Sequence, residues 1–104
     1  MLDATFAALS DPTRRAILGL LSEGELSVGE VVDRFSIAQS AISRHLNTLE
    51  EARLIERRRE GQRRICALRL EALSEVDAWM EHYRSQWRGA LKRLDKAVTR
   101  KNPS

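Results

Sequence analysis

Hydrophobic and polar positions change period twice along this chain: helical in the first half, alternating in a short middle stretch, then helical to the end. Leu2, Phe6 and Leu9 stand three or four residues apart and predict a first helix over 2–9. Ser10-Asp11-Pro12 interrupts it. Asp11 is a good N-cap, and Pro12 suits the first helical position, where a missing amide costs nothing. Ile17, Leu18 and Leu21 form the apolar face of a second helix, closed by Gly24. Ser27-Val28-Gly29-Glu30 has the spacing of a capping box, in which the two side chains satisfy each other's free amides. A short third helix follows through Val31, Val32 and Phe35.

Ser36-Ile37 reads as a tight turn, and the next helix spans about 38–52. Ala41, Ile42, Leu46, Leu49 and Ala52 point inward, while Gln39, Ser40, Ser43, Arg44 and Asn47 fall on the opposite side. Two helices joined by so short a turn, the second with a hydrogen-bonding outer face, have the layout of a helix-turn-helix. The period then shortens to that of strands over 54–60 and 63–68, with Glu60-Gly61-Gln62 as the turn and Gly61 free to take positive φ. A hairpin alone is marginal, so it must lean on the helices, with Ile55 and Ile65 inward and its arginines outward. From Glu71 the helical period returns. Leu73, Val76, Met80, Tyr83, Trp87, Leu91, Leu94 and Val98 step by three or four, a coiled-coil-like seam with one stutter. A helix over 71–98 is about 40 Å long, and one small domain cannot cover its apolar stripe, whereas a second copy can. The expected fold is mainly α with a small β-hairpin (α+β), in the order ααααββα. It forms a single domain over 1–98, with a frayed tail at 99–104.

Charge sharpens this picture. Residues 1–35 hold three basic and six acidic side chains, 36–64 hold seven and four, and 65–104 hold eight and five. The basic excess therefore begins at the helix-turn-helix. Arg53, Arg57, Arg58, Arg59, Arg63 and Arg64 crowd one segment, and arginine is the better fork-shaped partner for phosphate and guanine. The pI near 9.6 adds a mild case for an anionic partner. Cys66 is the one cysteine, too few for an internal disulfide or a cysteine-rich zinc site. Asp3 and the lack of a long apolar stretch argue against a signal peptide or membrane span, so a reduced cytoplasmic protein is expected. There is no nucleophile–base pair or glycine-rich phosphate loop, and no enzyme activity is expected.

Three blocks together resemble the ArsR family of bacterial winged-helix repressors: Ala8-Leu9-Ser10-Asp11-Pro12-Thr13-Arg14-Arg15-Ala16-Ile17-Leu18, then Gln39-Ser40-Ala41-Ile42-Ser43-Arg44-His45-Leu46, then Leu49-Glu50-Glu51-Ala52 with the arginine-rich hairpin. The resemblance covers roughly 8–68. It implies a winged helix-turn-helix whose helix 38–52 enters the major groove of double-stranded DNA. Gln39, Ser40, Ser43, Arg44 and Asn47 then face bases or phosphates, and the wing 55–68 touches backbone or minor groove through Gln62, Arg63 and Arg64. It also implies a homodimer on a pseudo-palindromic operator, paired through the first and last helices by Leu2, Phe6, Val76, Met80, Tyr83, Trp87 and Leu91. The family's metal sensors carry two thiolates where Ser27 and Gly29 stand here, and neither residue replaces a thiolate for a soft ion. Arg53 occupies a position where the family commonly has glycine, and Ala38 replaces a usual serine or threonine cap.

The bland alternatives are specific. Arg14 and Arg15 touch phosphate or form a surface salt bridge. His45 packs or hydrogen-bonds on its helix, and Cys66 is a small buried hydrophobe. Trp79 lies off the seam and packs on the first helix. Glu75, Asp77, Glu81 and His82 are the only material for a metal on the last helix, and no metal or cofactor is expected. The motifs assign no effector. The competing function is a winged-helix module that binds protein instead of DNA, for which a more apolar outer face on 38–52 would be expected.

Overall fold

The computed structural model describes residues 2–101, with the side chains of 2–99. The elements run α1 (Leu2–Leu9), α2 (Pro12–Ser22), β1 (Leu26–Ser27), α3 (Val28–Asp33), α4 (Gln39–Glu51), β2 (Ile55–Glu60), β3 (Arg63–Leu68) and α5 (Leu70–Lys101). The mainly helical fold with its hairpin is as the periodicity predicts, with one addition. Leu26 and Ser27 form a third strand, giving an antiparallel sheet in the order β1-β3-β2. Two residues carry no alternation to read, so β1 has no signature in the sequence.

Local caps set the helix starts. The Asp11 carboxylate accepts the Arg14 amide at 3.0 Å ahead of Pro12. Ser27 and Glu30 complete the capping box, at 3.0 Å from the Ser27 amide to Glu30 Oε1 and 3.1 Å from the Glu30 amide to Ser27 Oγ. Ser27 thus ends β1 and starts α3. Ala38 is the N-cap of α4 and provides no side-chain bond.

The end of α4 is a Schellman motif. The Leu54 amide reaches back to the Leu49 carbonyl and the Arg53 amide to that of Glu50, both at 3.0 Å, while Leu49 and Leu54 are buried together. That geometry puts the intervening residue in the left-handed region, and Arg53 has φ +61°. A side chain there costs about 1–2 kcal/mol, partly offset because glycine loses more freedom on folding. Arg53→Gly should therefore stabilise the protein by about 0.5–1 kcal/mol, or about 3–6 °C in thermal melts. An Arg53→Ala variant melting as high as Arg53→Gly would show that strain is not the cause.

Ile17, Val31, Ile42, Leu46, Leu49, Leu54 and Ile55 form a core closed off from solvent, and Ala8 and Thr5 of α1 pack into it rather than Leu2 and Phe6. The hairpin register corrects one expectation. Directly opposed residues share a face, so Ile55, Arg57 and Arg59 lie with Leu68, Cys66 and Arg64. Ile65 pairs with Arg58 and Ser27 on the other face. Ile55 and Cys66 belong to the core, whereas Ile65 is buried on the opposite side of the sheet.

Among the described residues the Arg14 and Arg15 side chains turn back on α1 and form no carboxylate ion pair. The last carbonyls of a helix lack intrahelical partners, and these side chains fold back to supply them. Arg14 donates to Ala8 and Ala7 at 2.7 and 3.2 Å, and Arg15 to Leu9 at 2.8 Å. α5 begins in the fold, with Ala72 buried and Leu73 and Val76 half-buried, then extends away from it. The molecule measures 64 × 28 × 21 Å as a result. The helix runs on to Lys101, past the predicted end at Val98; residues 102–104 of the predicted tail lie outside the described residues.

Candidate nucleic-acid interface

On α4 the buried face is Ile42, Leu46 and Leu49. The opposite face exposes Gln39, Ser40, Arg44 and Asn47, with Ser43 half-buried. This face is polar and carries none of the aromatic or methionine side chains that protein interfaces gather at their centres. Among the described residues the Arg44 side chain makes no hydrogen bond or ion pair. His45 lies at the inner edge of α4, its Nδ1 3.3 Å from an Arg14 Nη and 3.9 Å from the Asp11 carboxylate. It ties α4 to the α1–α2 corner, as a packing residue would.

The hairpin divides its arginines. Arg57 donates to Asn47 Oδ1 at 2.6 Å and to Glu50 Oε1 at 2.7 Å. Arg58 grips both oxygens of Glu25 at 2.6 and 2.8 Å. Arg63, expected on DNA, reaches Glu30 Oε1 at 2.6 Å, the same oxygen that closes the capping box. Arg59 and Arg64 sit directly opposite one another and make no hydrogen bond or ion pair among the described residues. With Glu50, Arg57 and Arg58 they line an open groove of about 320 Å³. Gln62 is exposed at the turn, where Gly61 has φ +61°. The arginine cluster and the tip were legible in the sequence. The carboxylates that hold Arg58 and Arg63 were not, because Glu25 and Glu30 lie 33 residues from their partners.

These pairs leave an electrostatic signature. The hydrogen bond from Arg58 holds the Glu25 carboxyl below the usual 4.5, the Ser27 amide does the same for Glu30, and Arg57 does so for Glu50. The Arg14 amide lowers Asp11 below 3.8. A carboxyl depressed in the folded state contributes stability that is complete above its unfolded value and lost as pH falls through the folded one. The thermal midpoint should therefore lose nothing from these groups above pH 5 and should fall steadily from pH 4.5 to 3. A midpoint unchanged across that lower interval would show that the pairs do not matter.

Other candidates are occupied or inert. Burial pushes the Cys66 thiol above its ordinary 9.0, the opposite of an activated cysteine. On α5, Arg84 takes Asp77 and Glu81, and His82 packs edge-on against Tyr83 at 4.8 Å. Among the described residues, no three His, Cys, Asp or Glu side chains gather in a metal-binding group, and no helix is long and apolar enough to cross a membrane.

The expected pairing residues lie on α1 and α5. Leu2, Val76 and Tyr83 are half-buried. Phe6, Met80, Trp87 and Leu91 are exposed, from 37% at Met80 to 63% at Leu91. Trp79 packs on Phe6 of α1 with ring centroids 5.6 Å apart. Its other edge meets Tyr83 at 5.1 Å, and Tyr83 stacks on Trp87 at 6.4 Å.

Comparison with known proteins agrees with this geometry. The profile described as bacterial regulatory protein, arsR family, matches residues 11–57. The chain is 40% identical over 78 residues to the transcriptional repressor SdpR of Bacillus subtilis, covering 75% of this chain and 87% of that one. An HTH-type transcriptional regulator of Mycobacterium tuberculosis is 36% identical over 89 residues, covering 86% and 80%. The crystal structure of an ArsR family transcriptional regulator superposes with a TM-score of 0.76 at 37% identity, covering 84% and 90%. The chain belongs to the bacterial ArsR family and is a DNA-binding transcription regulator built on a winged helix-turn-helix.

Proposed function

We propose that this protein is a cytoplasmic homodimeric repressor that binds a pseudo-palindromic operator upstream of its own gene. The observation that carries this reading is the exposed face of α4, with Gln39, Ser40, Ser43 and an unengaged Arg44 beside the Arg59–Arg64 pair of the wing. A polar helix face with one free guanidinium suits base edges in the major groove, where arginine makes its bidentate contact with guanine. The name of the Bacillus relative supports repression. The apolar stripe on α5 supports a second copy, which would place two α4 helices about one DNA turn, ~34 Å, apart. The domain over 1–98 is read as one DNA-binding unit that uses neither metal nor cofactor.

Fluorescence anisotropy on the duplex upstream of the gene, across a salt series and with or without chelator, tests the proposal. Tight, salt-steep and chelator-insensitive binding that exceeds binding to random DNA is expected. Equal binding to both duplexes would overturn the operator, and sensitivity to chelator would overturn the metal-free reading.

A further inference from the structure

Arg57 is the wing arginine nearest the core, and its two acceptors belong to the recognition helix. Asn47 and Glu50 are three residues apart and so lie on one face of α4. A single Arg57 nitrogen bridges them, at 2.6 and 2.7 Å. The side chain is only 20% exposed, against 62% for Arg63 near the tip. Its charge is already met by Glu50. A guanidinium held this way has no free charge to offer a phosphate, but it fixes where β2 sits against α4. Two residues farther along the same face stands Arg59, opposite Arg64. Like charges directly opposed across strands repel, and among the described residues no carboxylate is hydrogen-bonded to either; Glu50, already bound by Arg57, acts on Arg64 only through space. An anion between them would relieve that repulsion.

Resting on the regulator reading above, we propose that Arg57 is a positioning residue that fastens the wing to the recognition helix, and that Arg59 and Arg64 together take a backbone phosphate of the DNA. The residues of the wing thereby have separate tasks. Asn47 changes its part as well, because Arg57 takes one lone pair of its carbonyl oxygen and holds the amide in place, leaving its N–H groups as the donors for a base or phosphate.

Salt dependence separates the two roles, because each phosphate contact contributes about 0.9 to the slope of log affinity against log salt. On the upstream duplex, Arg59→Gln and Arg64→Gln should each reduce that slope. Arg57→Gln should weaken binding about tenfold at fixed salt and leave the slope unchanged. Arg57→Lys keeps the charge without the fork and should fall between wild type and Arg57→Gln, again at the wild-type slope. A reduced slope for Arg57→Gln would make Arg57 a phosphate ligand and overturn the proposal. Unchanged affinity would show that the tie positions nothing, and slopes unmoved by Arg59→Gln and Arg64→Gln would overturn the phosphate assignment. Hydrogen exchange at the β2 and β3 amides supplies a readout independent of DNA, and should be faster in Arg57→Gln while the helices exchange as in wild type. If wild type bound neither the upstream nor a random duplex, the regulator reading and the phosphate assignment would both fall. The exchange rates would still decide whether Arg57 holds the wing.

Discussion

Arg44→Ala should abolish sequence-specific DNA binding and leave the protein folded and dimeric. The side chain lies in the middle of α4, on the face away from Ile42, Leu46 and Leu49, and has no partner among the described residues. Truncating such a surface residue usually changes stability by less than about 0.5 kcal/mol. A bidentate arginine–guanine contact discriminates by about 1–3 kcal/mol. The proposed dimer would make that contact twice, so the expected loss on a two-half-site operator is about 2–6 kcal/mol, or roughly 30-fold to over 10,000-fold in affinity. Binding to random DNA, which rests on phosphates, should change far less. Anisotropy on matched specific and random duplexes measures both quantities. An operator affinity within a few-fold of wild type would remove Arg44 from the reading surface.

Leu91→Glu should convert the protein to a folded monomer. Leu91 is 63% exposed in the single chain, so a carboxylate there meets water and the fold is indifferent to it. Against a second copy the same carboxylate would be buried without a counter-charge, and by symmetry this happens twice. Leaving a buried charge unpaired costs about 3–5 kcal/mol, which raises the dimer dissociation constant at least about 100-fold. Operator affinity should fall with it, because a monomer engages one half-site. Analytical ultracentrifugation over a concentration series reads the assembly, and circular dichroism confirms the fold. A variant that still sediments as a dimer would place the pairing surface elsewhere.

What the sequence made legible was local. Asp11-Pro12 and the Ser27–Glu30 box mark helix starts, because a cap is made by residues within one turn of each other. Gly61 marks the hairpin tip because a tight turn needs its positive φ. Arg53 stands where the family commonly has glycine, and in the fold that position is the left-handed residue of the Schellman motif. The unread features depend on contacts between elements, which no period along the chain encodes. β1 exists only by pairing with β3, forty residues later. Arg14 and Arg15 read as surface charge until α1 folds back and offers them its last carbonyls. The sorting of hairpin arginines into held and free follows from where Glu25, Glu30 and Glu50 arrive in space, which no spacing rule encodes. On the recognition helix the division into inner and outer faces was readable throughout, because it needs only the helical period.

The aromatic row along α5 has a spectroscopic consequence. The chain has only two tryptophans, both on α5: Trp87 on the exposed stripe, 44% exposed, and Trp79 beside it, packed on Phe6 of α1 and 40% exposed. α4 and the wing contain none. Intrinsic emission is therefore confined to one end of the molecule's chemistry. Its wavelength follows the wetting of the surface around Trp79 and Trp87, while α4 and the wing contribute no tryptophan emission. The protein thus carries a built-in, label-free gauge of whether that stripe is covered.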